Sequence, residues 1–338
     1  MRKGRISDLI GNNIFFRELR PQNPDLVPID VVLYRLNLDR VPRKKDPEYP
    51  QVISCYLNLL GDFDRILFLG DTMLNDRTFA LGLINLGEYD VFALITDEDE
   101  KEFELREEGR ILYSNRWSFV AELKDYLEHK GFRIDEKTAV ILDIDKTLMG
   151  ARGRNHRAID LARARAVYRL YQETGTDRSF DEFRKIYDRI NSFRYHHITQ
   201  DNQDLVALFS IAIASGQLKK LSGDPVSLIS MLRNSQNEAV RMFAEEVYKN
   251  ITRREATLFP TFRRMEYYST IEFMDRFEDE PVEKLLGEEI LITGEIYDAF
   301  RGTLSTVIAL TDKPEISSLP PEGEDLPPVH EKTAKVYP

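Results

Sequence analysis

A single cysteine, Cys55, occurs in 338 residues. An internal disulfide and a thiolate metal site are therefore both excluded, and a reducing compartment is the simpler reading. Long apolar runs are also missing. None approaches the ~18 residues needed to span a bilayer, and the opening MRKGRISDLIGNNIFF lacks the apolar core of a signal peptide. The expectation is a cytoplasmic protein with no membrane partner. Positive charge is in deficit, with 47 Lys and Arg against 58 Asp and Glu and a net charge of -11. That argues against a nucleic-acid partner, though a local basic patch is compatible with it. No internal repeat is present.

What the chain does contain is an alternation of strand-like and helix-like segments, the pattern of an α/β fold with a parallel sheet. The strand-like runs are RILFLG (65–70), DVFALIT (90–96), TAVILDI (138–144), EILIT (289–293) and STVIAL (305–310). Helices are expected over 49–60, 77–86 and 117–130. Between about 155 and 285 no β run of that kind occurs. Instead RAIDLARARAVYRLYQ, SFDEFRKIYDRINSF, DLVALFSIAIASG and NEAVRMFAEEVYKNI space their apolar residues by three and four. The chain thus reads as a core in two parts, 1–150 and 286–338, around a helical insertion at 151–285. The Pro- and Glu-rich tail after 314 is expected to be extended or partly mobile.

Chemistry concentrates where the strands end. TAVILDIDKTLMG closes on Asp143 and Asp145, LFLGDTMLND on Gly70 and Asp71 with Asp76 shortly after, EILIT on Thr293, and STVIAL leads through Thr311 and Asp312 to Lys313. Parallel strands bring such ends to one edge, where open α/β sheets bind ligands. Like charges so placed are costly unless a cation sits among them. Four carboxylates, Asp71, Asp76, Asp143 and Asp145, are hard oxygen ligands of the kind that suits Mg²⁺.

The string DIDKTL after an apolar strand resembles the first motif of the haloacid dehalogenase-like (HAD) superfamily, Asp-x-Asp-x-Thr. The resemblance implies a Rossmann-like fold and a phosphoaspartate intermediate. It makes Asp143 the nucleophile and a metal ligand, and Asp145 the general acid/base, with a metal-binding backbone carbonyl. Thr293 fits the second motif, Lys313 in TDKP the third, and GDTMLND the fourth, with Asp71 and Asp76 on the metal and Asn75 assisting. Lys146 occupies a position where the family often has glycine. The order departs from the family, because the acidic motif precedes DIDKT by about seventy residues, which implies a circular permutation. Lys44 or Lys45 in KKDPEY then stands as the alternative to Lys313.

Around this set, Thr147, Arg152, Arg154 and Lys45 are candidate substrate-binding residues. Arg152, Arg154, His156 and Arg157 form either a solvated hinge or a site for a second anionic group. His196 and His197 are adjacent on a helix and face different ways, so a ligand pair is disfavoured, and Trp117 reads as packing. A helical insertion at this place resembles a cap that restricts the cleft to small molecules, with room for homodimer contacts or a wider substrate. The expected function is a Mg²⁺-dependent phosphatase acting on a small phosphorylated metabolite. A phosphotransferase with the same site and a non-enzymatic scaffold on the same fold are the alternatives.

Overall fold

The apolar runs that end in acidic residues become the middle of a sheet. The structure, a computed structural model, describes residues 2–154, 156–200, 202–252, 291–312 and 333–336. Two compact units divide it, Met1–Ile159 with Met274–Pro338, and Asp160–Phe273. The insertion was expected at 151–285.

In the first unit the strands are β1 (Arg2–Arg5), β2 (Ile14–Phe16), β3 (Arg20–Pro21), β4 (Arg65–Gly70), β5 (Asp90–Thr96), β6 (Leu105–Glu108), β7 (Ile111–Ser114), β8 (Thr138–Asp143), β9 (Leu291–Ile292), β10 (Thr306–Leu310) and β11 (Thr333–Val336). Eight of them form one sheet in the order β3-β2-β10-β8-β4-β5-β7-β6. Its strands run parallel except for β3 and β6, which turn back as edge hairpins on β2 and β7. The fold is therefore α/β with a mostly parallel sheet, as expected.

Strand β8 is buried at every position and β4 at all but its first residue. Continuous apolar runs, rather than alternation, are what a parallel sheet covered on both faces requires. Helices α1 (Ser7–Ile10), α2 (Ile29–Leu36), α3 (Tyr49–Leu60), α4 (Asp76–Leu86), α5 (Val120–His129) and α12 (Gly294–Phe300) belong to this unit. Alternate strand residues Ile66, Phe68, Ala139, Ile141 and Ile308 join a core with Val32, Val52, Tyr56 and Phe79 from α2, α3 and α4. The other face includes Phe92, whose ring meets Phe132 edge-on at 5.2 Å just beyond α5.

One expectation is corrected here. EILIT does not supply a strand of the main sheet: among the described residues its Leu291–Ile292 forms β9, and β9 pairs with β11 in a separate three-stranded sheet ordered β1-β11-β9. In the tail, expected to be extended or partly mobile, Thr333–Val336 is a strand paired to both β1 and β9.

The second unit, among the described residues, is all helix: α6 (Arg157–Gln172, entering it at Asp160), α7 (Phe180–Ile190), α8 (His196–Thr199), α9 (Gln203–Ala214), α10 (Pro225–Leu232) and α11 (Glu238–Thr252). Its core gathers Leu170, Phe183, Leu208, Phe209, Ile229 and Phe243. Helix α7 starts with a capping box in which Ser179 and Glu182 each accept a bond from the other's backbone N–H. No helix among the described residues is long and apolar enough to cross a membrane.

Candidate functional site

Strand β8 lies between β10 and β4, with Leu310 level with Asp143 and Leu69 level with Leu142. Three neighbouring strands therefore end together. The residues delivered to that edge are Asp143 from β8, Asp71 immediately after β4, and Thr311 immediately after β10. Asp76 joins them at the first position of α4, one tight turn beyond Asp71. The turn is held from inside. Asp76 Oδ2 accepts from the Asp71 N–H at 3.1 Å, the Thr72 N–H at 2.9 Å and the Thr72 hydroxyl at 2.7 Å. Gly70 permits it, since a Cβ there would lie 2.6 Å from the Asp76 Cβ.

Asp71, Asp76 and Asp143 are all buried, and each places a carboxylate oxygen within 4.8 Å of the others. Two cations meet this crowd. The Lys44 ammonium donates to Asp76 Oδ1 at 2.7 Å and to Asp143 Oδ1, and the Arg152 Nε donates to Asp71 Oδ2. Asp143 Oδ2 also accepts from the Thr147 hydroxyl at 3.3 Å. Three carboxylates thus share two hydrogen-bonded cations, and the charge of Lys146 also bears on Asp71.

The electrostatics follow from that balance. Burial pushes the Asp71 carboxyl up to about 7, with Arg152 opposing and Asp76 adding to the rise. Burial also holds Asp143 well above the usual carboxylate range, against the pull of Lys44 and with the charges of Asp76 and Asp71 adding to it. Asp76 is displaced the other way. Burial penalises its charge, but the Lys44 ammonium and the donors on Thr72 outweigh it and keep the carboxyl below its ordinary value. Lys44 itself is desolvated, yet Asp143 and Asp76 raise it well above an ordinary lysine, so it stays charged. Its ammonium lies 5.9 Å from the Phe68 ring centroid.

Asp145, two residues beyond Asp143, keeps its carboxylate outside the triad. Its Oδ2 accepts from the Thr311 hydroxyl at 2.9 Å and from the Asp312 N–H at 3.3 Å. Just beyond Asp145 the chain turns back on itself. Lys146 has φ 69°, a left-handed conformation that favours glycine, and its N–H closes on the Met149 carbonyl at 2.8 Å.

The sequence-derived site residues are only partly brought together. Asp71, Asp76, Asp143, Thr147 and Arg152 converge. Lys45 is exposed, and the amine in the centre is that of its neighbour Lys44. Lys313 lies outside the described residues. Thr293 is close to the first-motif loop, but its N–H donates to the Leu148 carbonyl at 2.8 Å and its hydroxyl to the Thr147 carbonyl. That hydroxyl braces the loop from behind. The reason is topological: β9 is outside the main sheet, so Thr311, not Thr293, ends a strand beside β8. Arg154 is gripped by carboxylates on both sides, Glu98 at 2.9 and 2.8 Å and Glu295 at 3.1 and 3.0 Å. Bidentate pairing to two carboxylates makes it a structural clamp and not an arm for an anion. His156 accepts from the Gly153 N–H at 3.0 Å. Trp117 is fully buried and does more than pack, because its indole N–H donates to the Arg152 carbonyl at 3.0 Å. His196 and His197 belong to no cluster of three or more metal-ligating side chains among the described residues.

Thr311 was passed over by sequence reasoning although its signal was present. It ends an apolar run just as Thr293 does, and only strand pairing separates the two. Compared with known proteins, the chain matches no family model, no curated protein and no solved structure.

Proposed function

We propose that this chain is a Mg²⁺-dependent phosphatase for a small phosphorylated metabolite, built on a HAD-like core with circularly permuted motif order. One observation carries the reading. Asp143 ends a central parallel strand with two further buried carboxylates and a lysine ammonium gathered on it. A solvated loop carrying DxD would show none of this convergence.

The donor set fits a hard divalent cation: three buried carboxylates in mutual reach, with no sulfur or imidazole among them. Asp71, Asp76 and Asp143 would hold it, and when bound it neutralises phosphoryl oxygens during transfer. The remaining roles belong to the chain itself. An Asp143 oxygen attacks phosphorus as the ester P–O bond breaks, giving a phosphoaspartate. Lys44, fixed by Asp76, stays protonated and holds negative charge beside the nucleophile. Asp145 gives a proton to the leaving alkoxide, then takes one from the water that attacks phosphorus and restores Asp143. The Thr311 hydroxyl and the Asp312 N–H fix the Asp145 carboxylate, which keeps acid/base work apart from the nucleophile. In this reading Lys44 and Thr311 take the third- and second-motif roles.

The test is hydrolysis of an aryl phosphate with and without Mg²⁺ by wild type, Asp143→Asn, Asp71→Asn and Lys44→Met. Metal-dependent turnover lost by at least about a hundredfold in Asp143→Asn is expected, because nucleophile removal eliminates the covalent route. Unchanged turnover in Asp143→Asn would overturn the assignment. Phosphate appearing on an added alcohol instead of in solution would move the reading to a phosphotransferase.

A further inference from the structure

The segment that follows the first motif is tied down with unusual completeness for so short a piece. The Arg152 N–H donates to the Lys146 carbonyl at 2.7 Å, while the Arg152 carbonyl accepts from the Glu98 N–H at 3.2 Å and from the Trp117 indole at 3.0 Å. Gly153 has φ 82°, and a Cβ there would fall 1.7 Å from the Glu98 carbonyl oxygen. No other residue fits. One residue on, Arg154 is held by Glu98 and Glu295, and Glu98 in turn accepts from the Trp117 N–H at 3.0 Å. Both backbone polar groups of Arg152 are thus fixed, and its side chain reaches Asp71, one of the three carboxylates of the centre.

Asp71 is also the carboxylate that Lys44 does not touch: Lys44 serves Asp76 and Asp143. The two cations therefore divide the three acids between them. A divalent ion draws on the charge and oxygens of Asp71, and a guanidinium bonded to Oδ2 competes with it for that charge and for one of the two oxygens. A second carboxylate lies within electrostatic reach of Arg152, that of Asp97, which burial raises and Arg152 draws back. The side chain is one-quarter exposed and so retains room to move.

We propose that Arg152 is a built-in counter-cation that occupies Asp71 until a divalent cation binds, and that leaves Asp71 when it does. The inference rests on the metal reading above and adds a competition within the chain. Arg152 stabilises the acidic centre when it is empty and weakens its affinity for the ion. Glu98, Gly153 and Trp117 are positioning residues for it.

Two measurements on the full chain test this, with Mg²⁺ alone as probe. Calorimetric titration of wild type and Arg152→Met should give a dissociation constant at least about tenfold lower in the variant, the scale of one lost charge-assisted contact. The Arg152 Nε–H resonance, identified by its absence in Arg152→Lys, should shift as Mg²⁺ saturates the wild-type protein. Constants within twofold of each other, or an Nε–H signal unmoved at saturation, would overturn the proposal. Binding abolished by Asp71→Asn together with an unmoved Arg152 signal would overturn it alone, whereas no binding by wild type or Arg152→Met would overturn the metal reading with it.

Discussion

Replacing Lys44 with methionine removes the ammonium and keeps most of the side chain's bulk, so the effect is almost wholly electrostatic. The carboxylate oxygens of Asp76 and Asp143 lie within 4.8 Å of each other. At that separation and an effective dielectric of about 20, two ionised carboxylates repel by about 3.5 kcal/mol. Lys44 cancels this by donating to both, with its side chain only 13% exposed. Removing one partner from a buried ion pair costs about 3–5 kcal/mol, because the charge left behind is uncompensated. A loss of about 3 kcal/mol from the first unit is expected in the absence of divalent cation.

The chain offers a clean assay for that unit. Trp117 is the sole tryptophan, is fully buried and lies within the first unit. Urea unfolding followed by its fluorescence reads the unit that contains Lys44 and the three acids. Saturating Mg²⁺ should recover much of the loss, since a ligand that binds only the native state stabilises it by mass action. Adding Asp76→Asn to Lys44→Met should also recover stability, with a coupling of about 1–3 kcal/mol between the two changes. A Lys44→Met protein within about 0.5 kcal/mol of wild type, or a strictly additive double variant, would refute the view that Lys44 balances these carboxylates.

Three further outcomes follow from particular contacts. Gly153→Ala sets a Cβ 1.7 Å from a backbone carbonyl oxygen at φ 82°. It should cost at least about 2 kcal/mol, read by the same fluorescence, and a smaller cost would mean that the 153 segment is not anchored on Glu98. Glu98 is opposed by burial but held below its ordinary value by Arg154 and the Trp117 N–H. A depressed folded value means its contribution is present above the unfolded value of about 4.3 and is lost as pH falls through the folded value. Stability of the first unit should therefore decline in that acid range, and Glu98→Gln should flatten the decline; an unchanged acid limb would refute the pairing. In the second unit, Ser179→Ala removes the α7 cap and should cost about 1 kcal/mol in thermal unfolding followed by far-ultraviolet circular dichroism. No change would mean the cap is not formed in solution.

How legible each feature was depended on how local its cause is. The strands ending at Gly70 and Asp143 announce themselves because a parallel strand buried on both faces must be apolar throughout, and an acid at its end then stands out. Helix α3 falls on the expected 49–60 for a similarly local reason, its amphipathic spacing. β2 did not announce itself, because three residues are too few to show any period, and its place is settled only by pairing with β10. Lys44 is ninety-nine residues from Asp143 in the chain. Nothing in KKDPEY distinguishes the lysine that turns inward from its exposed neighbour, because loop geometry decides it. Thr293 and Thr311 differ in the same way, by which sheet their strands join.

The proposed permutation has a physical rationale in the strand order. What the proposed chemistry needs is that the acid-bearing end of β4 and the hydroxyl-bearing end of β10 flank the end of β8, and sheet adjacency provides this whatever the order along the chain. The order then matters only through the connections it requires. In the permuted reading the old ends of the core are joined between α5, which finishes at His129, and β8, which starts at Thr138. That link is short and contains Gly131 at φ 81°, and the Phe132 N–H folds it back on the Leu127 carbonyl at 2.9 Å. A short, ordered link implies that the two ends it joins already stood close together, the condition under which circular permutation is tolerated. At the other side, β1 and β11 pair antiparallel over Arg2–Arg5 and Thr333–Val336. Proximity of these segments is thus retained by backbone hydrogen bonds, while Lys44, Asp71 and Asp76 reach Asp143 from the N-terminal side of the chain and Thr311 reaches Asp145 from the other.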